Sequence, residues 1–294
     1  MTNSASPSTT FTIVVPCYNE EGFIAETIEN LSSLTGVSDC YEILVVDDGS
    51  DDGTASILEE MIKKYANLRI ITHSVNRGYG AALKTGIRHS VADLVAITDA
   101  DGTYPNERLP ELVARCATCD MVVGARTGQN VIYSKLRAFP KMFLRRWISW
   151  LSRTPVPDIN SGMRVFRKKV AEEFFGVLPD TFSFTITITL AMLTNYRKVE
   201  FIPIDYAPRV GTSKIKPVRD TIRFVVLILR TATYFAPVRV FLPFIALMFV
   251  LFVISGIYDI FVLEDITDKT ILLFLSVLNI GMFTLLADMI DKRT

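Results

Sequence analysis

The stretch Val95-Ala96-Ile97-Thr98-Asp99-Ala100-Asp101-Gly102-Thr103-Tyr104-Pro105 passes abruptly from apolar to acidic. With Leu94, its apolar residues read as a short strand buried on both faces, and ligands gather beyond the carboxyl ends of such strands. Asp99 and Asp101 fall on one side if the chain stays extended, and donors that are all oxygen suit magnesium, manganese or calcium rather than zinc. An isolated Asp-x-Asp is also a common solvated turn, because Asp and Gly suit turns. The chain on either side chooses between these readings.

Upstream, Thr12 to Val15 reads as a strand that stops at Pro16, followed by Cys17, Tyr18, Asn19, Glu20 and Glu21. Asn19 is the expected N-cap of a helix from Glu20 to Leu34, with Phe23, Ile24, Thr27, Ile28 and Leu31 on its inner face. Glu42 to Val46 is a second strand, ending in Asp47, Asp48, Gly49 and Ser50. Ser50 or Asp51 is expected to cap the next helix, whose inner face is Ile57, Leu58, Met61 and Ile62. Leu68 to Thr72 is a third strand. The glycines of Asn76 to Gly86 invite a dinucleotide-binding reading, but Leu83 stands where the third glycine of Gly-x-Gly-x-x-Gly belongs. They read instead as a tight loop and a helix of small residues, with its amino end near a nucleotide.

Asp120 to Gly124 is a fifth strand, ending at Arg126. Strands alternating with helical patterns give an α/β domain with a mostly parallel sheet. Acids sit at or just after three strand ends: Glu20, then Asp47 and Asp48, then Asp99 and Asp101. Such clustering is repulsive unless a cation or hydrogen-bond donors arrive, and a metal with a nucleotide supplies both. Lys and Arg total 31, as do Asp and Glu, so bulk charge argues for no nucleic-acid partner. The polar amino end, rich in Ser and Thr, lacks the pattern of a signal peptide, so a cytoplasmic globular part is expected. Of Cys17, Cys40, Cys116 and Cys119, the last pair lacks the further ligands that zinc needs and reads as reduced thiols. His73 and His89 stand outside any motif and read as structural or surface residues.

Four segments, taken together, resemble the family 2 glycosyltransferases of the GT-A fold. They are Pro16, Tyr18, Asn19 and Glu20; Val46 to Ser50 with Asp52, Gly53 and Thr54; Asn76, Gly78 and the Ala81 to Gly86 helix; and Asp99 to Asp101. Within that family the chain is similar to the dolichol-phosphate mannose synthase and polyprenyl-phosphate glycosyltransferase group. That likeness rests on Gly124 to Arg126, on Asp158 with Asn160 to Phe166, and on Pro208, Arg209, Gly211, Ser213 and Lys214.

The resemblance implies that Pro16, Tyr18, Glu20 and an Asp of the pair Asp47 and Asp48 hold the base and ribose of a nucleotide sugar. Gly78 and Lys84 are placed with them, and Asp99 and Asp101 with ribose, diphosphate and a Mg2+ or Mn2+ ion. The group continues its metal motif as Asp-Leu-Gln. Here Asp101, Gly102 and Thr103 occupy those places, so the Thr103 hydroxyl or a water stands for the Gln.

The implied reaction moves glucose or mannose, with inversion, from a UDP- or GDP-sugar to a dolichyl or undecaprenyl phosphate. Its expected catalytic residues are Asp99, Asp101, Asp158, Arg126 and Arg209. The acceptor phosphate is assigned to Arg126, Ser161, Arg164, Arg209, Ser213 and Lys214, cations and hydroxyls in segments rich in Gly, Ser and Asn. Arg164 paired structurally with Asp158, and Lys214 on lipid headgroups, are the plainer readings of those two. Other lipid or polysaccharide acceptors, and a scaffold that keeps only the fold, are the alternatives. Arg146 and Trp147 suggest the Gln-x-x-Arg-Trp motif of polysaccharide synthases, but Phe143 occupies the Gln position.

Past Tyr133 to Trp150, which is basic and aromatic, the chain turns apolar. Arg219, Arg223 and Arg230 share one helical face opposite Phe224, Val225, Ile228 and Ala232, the pattern of an interfacial helix. Val240 to Tyr258 and Thr270 to Ala287 carry no charge, and each is long enough to cross a hydrocarbon core of ~30 Å. The expected organisation is a disordered tail at 1–10, a GT-A domain at 11–215, an amphipathic helix at 216–238 and a hairpin at 239–294, with spans near 240–262 and 270–290. Arg230, Arg239, Lys292 and Arg293 flank the outer ends, while the link from Glu264 to Lys269 is mostly acidic. An integral membrane protein of the cell membrane or endoplasmic reticulum is expected, with both termini and the catalytic domain cytoplasmic. A homo-oligomer is compatible with all of this.

Overall fold

The computed structural model describes residues 11–35, 41–128, 146, 148–150, 153–207, 226, 229–230, 232–234 and 236–291. Expectations for Arg209, Ser213 and Lys214, for most of 133–147, for most of the interfacial helix, for Cys40 and for both chain ends lie outside these residues. The chain divides into two units, Met1–Trp150 with Thr154–Ile215 and Leu151–Arg153 with Lys216–Thr294.

In the first unit, β1 (Phe11–Cys17), β2 (Tyr41–Asp47) and β4 (Leu94–Ile97) are aliphatic and almost wholly buried, as strands covered on both faces must be. Helices α1 (Ile24–Ser32), α2 (Thr54–Lys64) and α4 (Leu109–Arg115) bury Ile24, Ile28, Leu31, Leu58, Met61, Leu109 and Leu112 against Phe11, Ile13, Val15, Ile43 and Val45. Each such side chain contributes about 1.5–3 kcal/mol. On the other face α3 (Tyr79–His89) lies close to β1, where Gly86 rests against Val14.

With β3 (Leu68–Thr72), β5 (Met121–Ala125), β6 (Arg164–Arg167) and β7 (Val199–Pro203), the sheet has seven strands in the order β3-β2-β1-β4-β6-β5-β7. Only β6 runs antiparallel to its neighbours, β4 and β5. The expected class, α/β with a mostly parallel sheet, holds, and β6 and β7 extend the five expected strands. After β6 come helices α5 (Lys168–Glu172) and α6 (Phe184–Thr194), the latter buried at every residue.

The structure corrects three local expectations. Strand β1 does not stop before Pro16: its pairing with β4 ends at Val14, whereas its pairing with β2 runs on to Cys17. Proline ends one ladder and not the other, because its missing N–H affects only one side. Asn19 caps no helix: it sits at φ 55° and binds the β2 loop, while α1 begins at Ile24 without a side-chain cap. Neither Ser50 nor Asp51 caps α2, since Ser50 donates to Asp47 and Asp51 pairs with Asn19.

The second unit contains α7 (Pro237–Tyr258), a wide turn at Asp259–Leu263 and α8 (Asp268–Asp291). The apolar lengths Pro237–Leu263 and Asp268–Ile290 are long and apolar enough to cross a membrane, and their side chains are mostly exposed. The two helices meet through Phe252 and Phe274, ring centres 5.5 Å apart. At the turn, buried Asp259 accepts from the Thr267 N–H at 2.9 Å and from the Thr270 hydroxyl at 2.7 Å. Hydroxyl and carboxylate partners supply the hydrogen bonds that an apolar surrounding cannot.

Candidate functional site

The carboxyl ends of β1, β2 and β4 bring the first acids together. After β1 the chain is tied to the loop after β2: Asn19 N donates to Ser50 Oγ at 3.0 Å, Glu20 N to Thr54 Oγ1 at 3.0 Å, and Gly53 N to Glu21 Oε2 at 2.8 Å. These bonds leave Tyr18 exposed at the end of β1 and Pro16 buried within it. Asp47 is buried and its Oδ1 accepts from Ser50 N at 3.1 Å and Ser50 Oγ at 2.6 Å. Asp48 is equally buried and accepts from Arg77 N at 3.0 Å and Gly78 N at 2.7 Å, with His73 Nδ1 2.6 Å from its Oδ1.

Gly78 sits at φ 102°, and a Cβ there would drive into the carbonyl oxygen of Asp180. That carbonyl accepts from Gly80 N at 2.9 Å, and Lys84 Nζ lies 2.8 Å from Asp180 Oδ1. The amino end of α3, expected beside a nucleotide, is therefore met by Asp180 and Asp48 of the protein itself.

Beyond β4 the chain does not stay extended. It turns at Ala100 and Asp101, with Gly102 at φ 67°, so Asp99 and Asp101 are separated by a bend rather than aligned on a strand face. Asp99 Oδ1 accepts from the Tyr79 hydroxyl at 2.8 Å. Burial first, and Asp99 second, push that phenol above its usual value and keep it a donor. A Cβ on Gly162 would lie 2.8 Å from Asp99 Oδ2, so the lack of a side chain at 162 keeps the space over that carboxylate. Asp101 Oδ1 accepts from the Thr103 hydroxyl at 2.6 Å and from Thr103 N at 3.2 Å. Thr103 is thus buried and turned onto Asp101.

A third cluster joins the end of β5 to the segment before β6. Arg126 donates from Nε and Nη2 to the two oxygens of Asp158, at 2.7 and 3.1 Å, and its backbone N–H donates to the same carboxylate. The guanidinium lies over the Tyr206 ring, 5.2 Å from its centre, a cation–π contact. Burial pushes the Asp158 carboxyl up, but the Arg126 hydrogen bonds and charge outweigh it and hold it below the ordinary carboxylate value.

Ser161 and Arg164, expected on an acceptor phosphate, are placed differently. Ser161 is fully buried and donates to Gly124 O at 2.5 Å. Arg164 is also fully buried, its guanidinium on Thr185 O and Thr189 Oγ1, each at 3.0 Å, and on Ser161 O. Burial pulls it down to about 10. Its hydrogen bonds go to backbone and hydroxyl oxygens because β6 turns it inward, under α6. It does not pair with Asp158, which Arg126 occupies.

Among the described residues no group of three or more His, Cys, Asp or Glu side chains forms a metal cluster. The carboxylates of Asp99 and Asp101 nevertheless fit a hard cation, because Mg2+ and Mn2+ are commonly held by one or two carboxylates with the remaining positions on phosphate oxygens and water. His73 and Tyr79 were not recognisable as site residues from motif alone. For His73 the available signal is register: Asp47 pairs with Thr72, so one residue further on, Asp48 and His73 adjoin.

Residues 12–175, more than half of the chain, match glycosyl transferase family 2, and residues 236–292 match the GtrB C-terminal hairpin. A curated relative, the dolichol-phosphate mannosyltransferase of Pyrococcus furiosus, is 29% identical over 217 residues, covering 69% of this chain and 58% of the relative. The chain therefore spans little more than half the length of that relative. Among solved structures, a mannosyltransferase from Pyrobaculum calidifontis in complex with GDP-Man and Mn2+ has a TM-score of 0.57 at 23% identity, covering 77% of this chain and 65% of that one. Glucosyl-3-phosphoglycerate synthase from Mycobacterium tuberculosis, in complex with Mn2+, UDP and glucosyl-3-phosphoglycerate, has a TM-score of 0.59 at 18% identity, covering 76% and 80%. These likenesses carry the fold, which is the GT-A architecture. The chain belongs to glycosyl transferase family 2.

Proposed function

We propose that this chain is a membrane-anchored, metal-dependent inverting glycosyltransferase that moves a hexose from a UDP- or GDP-sugar to a polyprenyl phosphate. The observation that carries the reading is the β4 end: Asp99 lies between the Tyr79 hydroxyl and the bare backbone of Gly162, and Asp101 follows across one turn. The named activity of the Pyrococcus relative and the match to the GtrB hairpin support the lipid acceptor and the anchor.

On this reading Tyr18, Pro16, Glu20 and the Asp47–Asp48 end of β2 receive the base and ribose. Asp99 and Asp101 hold the diphosphate end together with Mg2+ or Mn2+, and Thr103 fixes the rotamer of Asp101. When bound, the cation offsets charge growing on the departing diphosphate. The acceptor, a phosphate monoester with a second pKa of about 6, is largely anionic at neutral pH and needs no strong base.

Asp158 accordingly has no proton to take. Held below the ordinary carboxylate range by Arg126, it orients that guanidinium toward an acceptor phosphate, and positioning supplies the rate. Arg209, Ser213 and Lys214 are assigned to the same phosphate from the sequence. Ser161 and Arg164 support the site from beneath.

Purified protein given a radiolabelled nucleotide sugar, polyprenyl phosphate and Mn2+ should make a labelled lipid, and Asp101→Ala should abolish it. Wild-type protein that labels no lipid across a panel of donors and acceptors overturns the reading.

A further inference from the structure

His73 belongs to no motif, yet it stands at the join of three elements. It follows β3, its backbone N–H donates to Asp47 O at 2.8 Å, and its ring is buried between the end of β2 and α3. Nδ1 lies 2.6 Å from Asp48 Oδ1 and Nε2 lies 2.9 Å from Thr85 Oγ1 on α3. A carboxylate only accepts, so Nδ1 carries the proton of that bond, and the contact of Nε2 with the Thr85 hydroxyl holds the far side of the ring.

The other two donors to Asp48 are the backbone N–H groups of Arg77 and Gly78. Both belong to the turn that delivers Tyr79 to Asp99. Asp48 is therefore the knot between the β2 end and the β4 end, and His73 is the one side chain among the described residues, beside two main-chain amides, that grips it.

We propose that His73 is a positioning residue for the nucleotide sugar. Through Nδ1–H it fixes the Asp48 carboxylate, and through Asp48 the 77–79 turn, in the arrangement that receives the donor. This rests on the reading of Asp48 as a donor contact. The ring is buried and acts through Asp48, so its effect falls on donor affinity and not on the acceptor.

The test uses the detergent-purified full chain. His73→Leu removes both hydrogen bonds of the ring. Donor KM should rise at least about tenfold, the size of a lost hydrogen bond to a charged group, with acceptor KM unchanged. His73→Asn places an amide N–H near the position of Nδ1 and should restore most of the donor affinity. Thr85→Val, which frees the far side of the ring, should raise donor KM by a smaller factor, about three.

Calorimetric binding of UDP and of GDP with Mn2+ should follow the same order. A His73→Leu protein with lowered thermal stability but wild-type donor KM and nucleotide affinity overturns the proposal, as does a His73→Asn protein no better than His73→Leu. Should His73→Leu fail to fold, Thr85→Val decides, and an unchanged donor KM there overturns it. Wild-type protein that binds neither nucleotide defeats the donor-site reading itself. Wild-type binding that the His73 variants match defeats this inference alone.

Discussion

Two acid-tipped strand ends lie in one sheet and are built in opposite ways. At the end of β2, Asp47 and Asp48 are buried and their oxygens are met by Ser50, Arg77, Gly78 and His73. At the end of β4, Asp99 and Asp101 are half-buried, each held by a hydroxyl, from Tyr79 and from Thr103. Buried carboxylates with matched donors stabilise a fixed geometry, whereas half-buried carboxylates stay within reach of a cation. Chemically alike residues at equivalent places thus divide into a built platform and what is, on the proposed function, a working edge.

Substitution should pull the two apart. Asp101→Ala should reduce transfer at least about 100-fold, as loss of a group stabilising developing charge does, while changing fold stability by no more than about 1 kcal/mol. Asp48→Ala should leave several buried donors without an acceptor and destabilise the fold by about 3 kcal/mol, alongside its loss of donor binding. Thermal denaturation set beside radiolabelled transfer checks both. Equal loss of melting temperature in the two variants would erase the distinction between platform and edge.

The end of β5 extends the contrast, because Asp158 is met by a side-chain cation, the Arg126 guanidinium, as well as by the backbone amides of Arg126 and Asn160. Asp158→Asn should cost about 2 kcal/mol at neutral pH by leaving Arg126 without its counter-charge. The folded-state carboxyl lies below its ordinary 3.8, so its stabilising effect is complete above that value and is lost as pH falls through the lower, folded-state value. The stability gap between wild type and Asp158→Asn should be flat from neutral pH down to about 5 and close at more acid pH. Denaturant melts across that range would show it, and a gap that closes between pH 7 and 5 would contradict it.

Much of this was legible in the sequence where chemistry and periodicity agreed. Strand β3 falls on Leu68–Thr72 as expected, β2 is one residue longer at each end, and the acids stand at strand ends as the apolar runs predict. Strand β6 was not legible. Its first residue, Arg164, points inward and is fully buried, which an apolar-polar alternation assigns to the outside.

Helix α6 hides for a related reason. Phe184-Thr185-Ile186-Thr187-Ile188-Thr189 alternates like a strand, yet the segment is a helix buried all round, with Thr189 and Thr194 returning their hydroxyls to carbonyls four residues back. In the site, Asp99 and Asp101 were legible as a pair, and the turn that Asp and Gly favour there is what separates them. The bond between Arg126 and Asp158 spans 32 residues of sequence, which no local pattern encodes.

Gly162 tests the working edge by filling it. The added methyl of Gly162→Ala would stand 2.8 Å from Asp99 Oδ2, so the carboxylate or the segment before β6 has to yield. Transfer should fall about tenfold through misplacement of Asp99, since small displacements of positioned groups are costly, while the melting temperature changes little. The same loss from a Gly176→Ala control, where a Cβ meets nothing within 4 Å, would remove the steric argument.

Tyr79 is the hinge of the comparison, because it begins α3 just after the amides held by Asp48 and ends on Asp99. Tyr79→Phe removes one hydroxyl and keeps the ring that stacks on Phe182, 5.0 Å centre to centre. The loss should be about 1 kcal/mol, roughly a fivefold drop in kcat, with stability little changed. Burial and then Asp99 raise the phenol above its ordinary 10.0, so it stays protonated and donating through the working range. The ratio of wild-type to Tyr79→Phe rates should therefore stay constant between about pH 6 and 9. A ratio that collapses toward one on the alkaline side would mean that the hydroxyl ionises within that range and that the β4 carboxylate is held by something other than this bond.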